Sequence, residues 1–139
     1  MKEFKAKKGN FWIYILISVL FPLLLWLGED ISEDTFVFIG LLLPSFLPFI
    51  LFIWIYFSTK YYIKDDEFFY RSAFLKGRIE ISKITSIQKN KTLWSGTKPA
   101  MARKGLIIKY GYDELYVAPE DNEDLIEALL EINDTIIVT

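Results

Sequence analysis

FWIYILISVLFPLLLWL, residues Phe11 to Leu27, and FVFIGLLLPSFLPFILFIWIYF, residues Phe36 to Phe57, carry no charged residue. The uncharged stretch reaches from Lys8 to Glu29 around the first run and from Asp34 to Lys60 around the second. A helix crosses a hydrocarbon core of roughly 30 Å with about 20 apolar residues. The two runs are therefore expected to form a transmembrane helical hairpin, about 11–27 and 36–57. Trp12, Trp26 and Trp54 fall near the run ends, where indole rings favour the headgroup level.

The flanks orient the hairpin. Lys2, Lys5, Lys7 and Lys8 precede the first run, and Lys60 and Lys64 follow the second. The connection holds Glu29, Asp30, Glu33 and Asp34 and no Lys or Arg. The positive-inside rule then puts both termini in the cytoplasm and the connection outside, in a multi-pass protein of the cell's inner or plasma membrane. A basic flank before an apolar run also begins a signal peptide. Gly28-Glu29-Asp30 offers no small-residue cleavage pattern, so the expectation is an uncleaved anchor. Pro22, Pro44 and Pro48 interrupt the runs, and the Pro44–Pro48 segment reads as a hinge or as a kink in a passive anchor.

Composition removes whole classes of chemistry. The chain has no Cys and no His. Disulfides, Cys/His zinc sites, Cys nucleophiles and His-based triads are excluded. No metal and no cofactor is expected, and the chain does not read as an enzyme. Neither apolar run holds a charge that would mark an ion path.

From Ser58 the texture is that of strands. Tyr61 to Ile63 lead into Asp65-Asp66-Glu67, which reads as a turn rather than a carboxylate site. Phe68, Tyr70, Ser72 and Phe74 share one strand face, with Phe69, Arg71 and Ala73 on the other. Arg71 is either an exposed strand residue or a holder of a phosphate or carboxylate. Lys76-Gly77 reads as a hairpin turn. Ile79 and Ile81 alternate; Ile84 and Ile87 follow at a spacing of three, which suggests a bulge or tight turn before a strand that reaches Asn90. Asn90 to Arg103 has no period and reads as a long loop. Its Ser95-Gly96-Thr97-Lys98 lacks the upstream Gly of a phosphate loop. Leu106, Ile108 and Tyr110 share a strand face, Gly111 to Glu114 turns the chain, and Leu115 to Ala118 is a short strand. Pro119 suits the first turn of a helix. Leu125, Ile126, Leu129, Leu130 and Ile132 then recur at helical spacing behind Glu120, Asp121, Glu123 and Asp124, which read as helix-start acids rather than a calcium loop. The helix is expected to end near Asn133, with Ile136 to Val138 extended.

Charge is segregated along this part. Twelve Lys and Arg face four Asp and Glu between Lys60 and Lys109, and nine acids with no base follow from Tyr110. The basic share concentrates in Lys89, Lys91, Lys98, Arg103 and Lys104, around Leu93-Trp94. These five cations and Trp94 are the candidate membrane or partner contact. Trp94 reads either as an interfacial anchor or as a side chain folded back on the domain.

Several strands closed by one amphipathic helix suggest a small barrel with a helical cap. The order Lys60-Tyr-Tyr-Ile-Lys-Asp-Asp66, Ile79-x-Ile81-x-x-Ile84-x-x-Ile87, Pro99-Ala100, Leu106-Ile-Ile-Lys-Tyr-Gly111 and Val117-Ala-Pro-Glu-Asp121 resembles the bacterial PH-like domains, and among them the group that includes the sublancin immunity protein. The likeness covers about Ser58 to Asn133. It implies a mainly-β PH-like split barrel with one C-terminal α-helix behind the transmembrane hairpin, so that residues 1–57 are flank and anchor and 58–139 a cytoplasmic PH-like domain. It implies a binding or immunity role rather than catalysis. The expected ligand is membrane lipid headgroups or a membrane-protein partner, and not nucleic acid, with immunity to a bacteriocin as one form of that role. Where such domains often have Ser before the Pro this chain has Ala118, which removes a helix cap. The alternative role is an accessory or regulatory subunit of an integral-membrane complex, with the hairpin as the assembling part.

Overall fold

The computed structural model describes residues 1–28 and 34–139. The acidic connection read at Glu29 to Glu33 lies outside the described residues.

The apolar runs are helical. Helix α1 is Trp12–Leu27, α2 is Thr35–Ser45 and α3 is Leu47–Ser58. Asp34 caps α2 by accepting the Phe36 N–H at 2.9 Å. Pro22 is accommodated inside α1, whereas Pro44 and Pro48 bracket a break at Phe46. Together Thr35–Ser58 is long and apolar enough to cross a membrane, by length and composition. The 16 residues of α1 reach about 24 Å at 1.5 Å per residue, shorter than the sequence run allowed. Most large apolar side chains of the three helices are exposed, among them Trp12, Phe21, Leu24, Trp26, Leu43, Leu47 and Phe57.

Two four-stranded sheets follow. Strands β1 (Lys2–Lys5), β2 (Lys60–Lys64), β3 (Glu67–Ser72) and β4 (Leu75–Glu80) lie in that order, all antiparallel. In the second sheet the order is β7 (Asp113–Val117), β6 (Gly105–Tyr110), β5 (Ile84–Lys91), β8 (Ile137–Val138), with β8 parallel to β5. Helix α4, Asn122–Ile132, packs Leu125, Ile126, Ala128 and Leu129 onto a core of Phe4, Tyr61, Phe68, Ile79, Ile81, Ile84, Ile87, Leu106, Ile108, Leu115 and Val117. A 3₁₀ turn at Ile81–Lys83 carries the chain from one sheet to the other, and β5 shifts register between Ile84 and Ser86. That corner explains the spacing of Ile81, Ile84 and Ile87.

Several expectations change. Residues Lys2–Lys5, read as a basic flank, form β1: Phe4 and Ala6 are buried, so the segment has an apolar face to spend on the core. Beyond β1 the chain crosses to the other sheet, where Lys7 N–H donates to Ala118 O and Glu120 N–H to Lys5 O. The turn between β3 and β4 is Ala73-Phe74, not Lys76-Gly77. Ala73 takes the positive φ of 50° there, and Phe74 lies in the turn, 74% exposed, instead of continuing the strand face of Phe68, Tyr70 and Ser72. Gly77 sits inside β4, opposite Tyr70, whose ring occupies the space a Cβ would need. Asp65-Asp66 does form a turn, with φ of 52° and 60°, the left-handed pair of a two-residue hairpin. Pro119 does not open the helix. Asp121 does, accepting N–H bonds from Glu123 and Asp124, so no cap is lost through Ala118. Ile132, in the last turn of α4, is 39% exposed rather than buried.

Candidate functional site

The long basic loop runs from Thr92 to Lys104. Just before it, Asn90 (φ 58°) shifts the register of β5; at its end Lys104 takes a φ of 57°, and Lys104 N–H closes the base onto Thr92 Oγ1 at 3.0 Å. Between them two buried phenols hold the backbone from inside. Tyr61 Oη donates to Pro99 O at 2.6 Å and accepts Ala118 N–H at 3.1 Å. Tyr116 Oη donates to Ala102 O at 2.6 Å and accepts Gly105 N–H at 3.1 Å. Tyr116 N–H also donates to Thr97 O. Leu93, Ala100, Ala102, Ile107, Tyr116 and Ala118 make a small apolar cluster beneath the loop. Burial in this setting pushes the Tyr61 phenol well above its ordinary pKa, so it remains a neutral donor.

Held this way, the loop turns its polar side chains outward. Trp94 is 77% exposed, so it is not folded back on the domain. Lys98 Nζ lies 5.8 Å and the Arg103 guanidinium 5.5 Å from its ring centroid, a cation–aromatic cluster. The structure brings Trp94, Lys98 and Arg103 together. It sets Lys89 apart, on β5, in an ion pair of 3.0 Å with Glu123. Lys91 and Lys104 stand at the exposed base of the loop. Among the described residues, Lys91, Lys98, Arg103 and Lys104 form no ion pair.

The loop also meets the root of α1. A cleft of about 590 Å³ lies between them, lined by Lys7, Asn10, Phe11, Tyr14, Met101 and Arg103 among others. Gly9 makes the approach possible. Its φ is +51°, and a Cβ there would stand 3.2 Å from Ala102 Cβ. Lys8 Nζ lies 4.0 Å from the Tyr56 ring centroid, linking the roots of α1 and α3. Two cations thus share one cleft with the first apolar turns of a helix. Lys7 and Met101 are the residues that sequence reasoning missed here. Lys7 was legible only as part of a flank, because its partner in the cleft is nearly a hundred residues away in the chain.

Asp65, Asp66, Glu67 and Glu80 line a different cleft at the far end of the first sheet. Among the described residues no group of acidic side chains is arranged to hold a metal ion. The family model described as Bacterial PH domain matches residues 59–133, from the start of β2 to the end of α4. Comparison with curated proteins and with solved structures gives no match.

Proposed function

Since this chain belongs to the bacterial PH domain family over residues 59–133, we propose that it is a membrane-anchored binding module whose loop face engages anionic lipid headgroups. The observation that carries this reading is the position of the pinned loop. Arg103, clustered with Trp94 and Lys98, lines the cleft at the root of α1, and most large apolar side chains of the helices are exposed. Apolar surface of that extent calls for a membrane or a large partner. β2 begins at Lys60, directly after the Thr59 that ends α3, so the domain has no linker on which to swing away. A Lys or Arg near an anionic leaflet contributes about 1 kcal/mol, and an indole is at home at that depth. In this reading α1 and α2–α3 cross the plasma membrane as a hairpin, both termini are cytoplasmic, and residues 58–139 with β1 face the inner leaflet.

The test uses the full chain with Trp12, Trp26 and Trp54 changed to Phe, reconstituted in vesicles doped with brominated lipid. Trp94 fluorescence should be quenched when phosphatidylglycerol is present, less so at high salt, and little after Lys98→Gln with Arg103→Gln. Equal quenching in neutral vesicles, or none in either, overturns the proposal.

The bacteriocin-immunity role implied by the sequence resemblance is a narrower form of this reading. It requires that expression of the chain protect sensitive cells against such a peptide; unchanged sensitivity removes it.

A further inference from the structure

Strand register lines up four cations on the outer face of the first sheet. Lys5 is paired with Lys60, Lys60 with Arg71, and Arg71 with Lys76. The row therefore crosses all four strands, and at roughly 4.8 Å per strand it is about 14 Å long. Its members alternate with the buried Phe4, Tyr61 and Ser72, so they stand on the face away from the core. Lys5, Arg71 and Lys76 are exposed and Lys60 half-exposed.

Like charges directly opposite one another destabilise a strand pair. Here three successive pairs do so, on strands spaced roughly 4.8 Å apart, closer than the Debye length of about 8 Å. The relief inside the chain is small: Glu3 approaches Lys60 at 3.8 Å, and among the described residues Lys5, Arg71 and Lys76 form no ion pair. The acids of this sheet stand in other rows. The next row is Glu3, Tyr62, Phe69, Arg78, with the Tyr62 and Phe69 rings stacked at 4.8 Å. The row beyond carries Lys64, Glu67 and Glu80. Charge is thus sorted along the strands, with the cations at the helix end.

That end is tied to α3. Lys60 follows Thr59, whose hydroxyl is 2.8 Å from Ser72 Oγ, next to Arg71. Ala73 N–H donates to Ser58 Oγ at 2.6 Å. The row is consequently held at the level of the last turn of α3, on a different face from the loop of residues 92–104.

We propose that Lys5, Lys60, Arg71 and Lys76 form a second binding site, for the phosphates of anionic phospholipids in the leaflet beneath the domain. The inference rests on the reading that α1–α3 lie in a membrane. The row borders open clefts of about 380 and 410 Å³ rather than an enclosed pocket, so a single free anion gains little, whereas a leaflet presents many phosphates at high effective concentration.

The experiment follows thermal unfolding of the full chain in neutral detergent. Phosphatidylglycerol should raise the midpoint, and phosphatidylcholine or inorganic phosphate should not. Arg71→Gln with Lys76→Gln should leave the lipid-free protein at least as stable, because repulsion is relieved, yet remove most of the phosphatidylglycerol shift. Lys98→Gln with Arg103→Gln should keep a substantial part of it. An undiminished shift in the Arg71/Lys76 variant, with the loss confined to the loop variant, overturns the row while leaving the lipid reading intact. A lipid-free midpoint well below that of the parent gives the row a structural role instead and also overturns it. No shift in any protein, together with no Trp94 quenching, overturns both.

Discussion

Tyr61 donates its phenolic hydrogen to the carbonyl oxygen of Pro99 at 2.6 Å, across the core and 38 residues along the chain. Tyr61 stands at the start of β2, just after α3; Pro99 lies in the basic loop. One side chain therefore joins the root of an apolar helix to the loop beside the root of another. The same oxygen receives Ala118 N–H, which brings in the end of β7.

Tyr61→Phe keeps the ring and deletes the oxygen. Pro99 O and Ala118 N–H are then buried without that partner, at an expected cost of about 1–3 kcal/mol. Denaturant unfolding gives the cost, and hydrogen exchange should show faster opening of residues 97–102. Unchanged exchange there would mean that the loop is held by Tyr116 and its apolar cluster alone.

Alkaline pH should act through the same group. Burial raises the pKa of Tyr61, and also those of Tyr70 and Tyr110, above the ordinary phenol value of about 10. Above that pH the unfolded chain loses protons that the folded chain keeps, so the unfolded state binds fewer and stability falls as pH rises. The contribution is complete below about pH 10 and declines above it. Tyr61→Phe should fall less steeply over that range; an equal slope would assign the effect to other groups.

The α4 contact separates two residues that share a helical period. Leu129 is fully buried and Ile132 is not. Leu129→Ala should cost about 2–5 kcal/mol. Ile132→Ala should change stability by no more than about 0.5 kcal/mol. Similar losses at both positions would show that the end of α4 is packed after all.

Gly77 is under steric constraint from Tyr70. Gly77→Val should destabilise by about 1–3 kcal/mol through overpacking. In a double-mutant cycle with Tyr70→Ala the two effects should fall short of adding, since the second change removes the obstruction. Simple additivity would argue that the strand itself, not the ring, resists a side chain.

Topology follows from the proposed orientation. The chain has no native cysteine, so Ser95→Cys gives one thiol. It should react with a membrane-impermeant maleimide only after cells are opened. Labelling of intact cells would place the loop outside.

Much of this architecture is written in local patterns. Uncharged runs define α1 and α2–α3, alternation defines β3 and β6, helical spacing defines α4, and Asp65-Asp66 defines a hairpin, because each pattern records how one element buries its own face or turns on itself. Pairing is different, since it depends on which edges and spaces the rest of the chain leaves open. Lys2–Lys5 is a strand only because β2, beyond both apolar runs, offers it a free edge and a place for Phe4. Lys76-Gly77 has the composition of a turn, yet it pairs with Arg71 and Tyr70 inside the sheet, because the chain has already turned at Ala73-Phe74. Trp94, Lys98 and Arg103 were visible as a basic aromatic loop, but its fixed outward shape comes from Tyr61 and Tyr116, which the loop's own residues do not reveal. The row of Lys5, Lys60, Arg71 and Lys76 exists in no window of sequence at all: four scattered cations become neighbours only when antiparallel register, set by burial of the opposite face, aligns them.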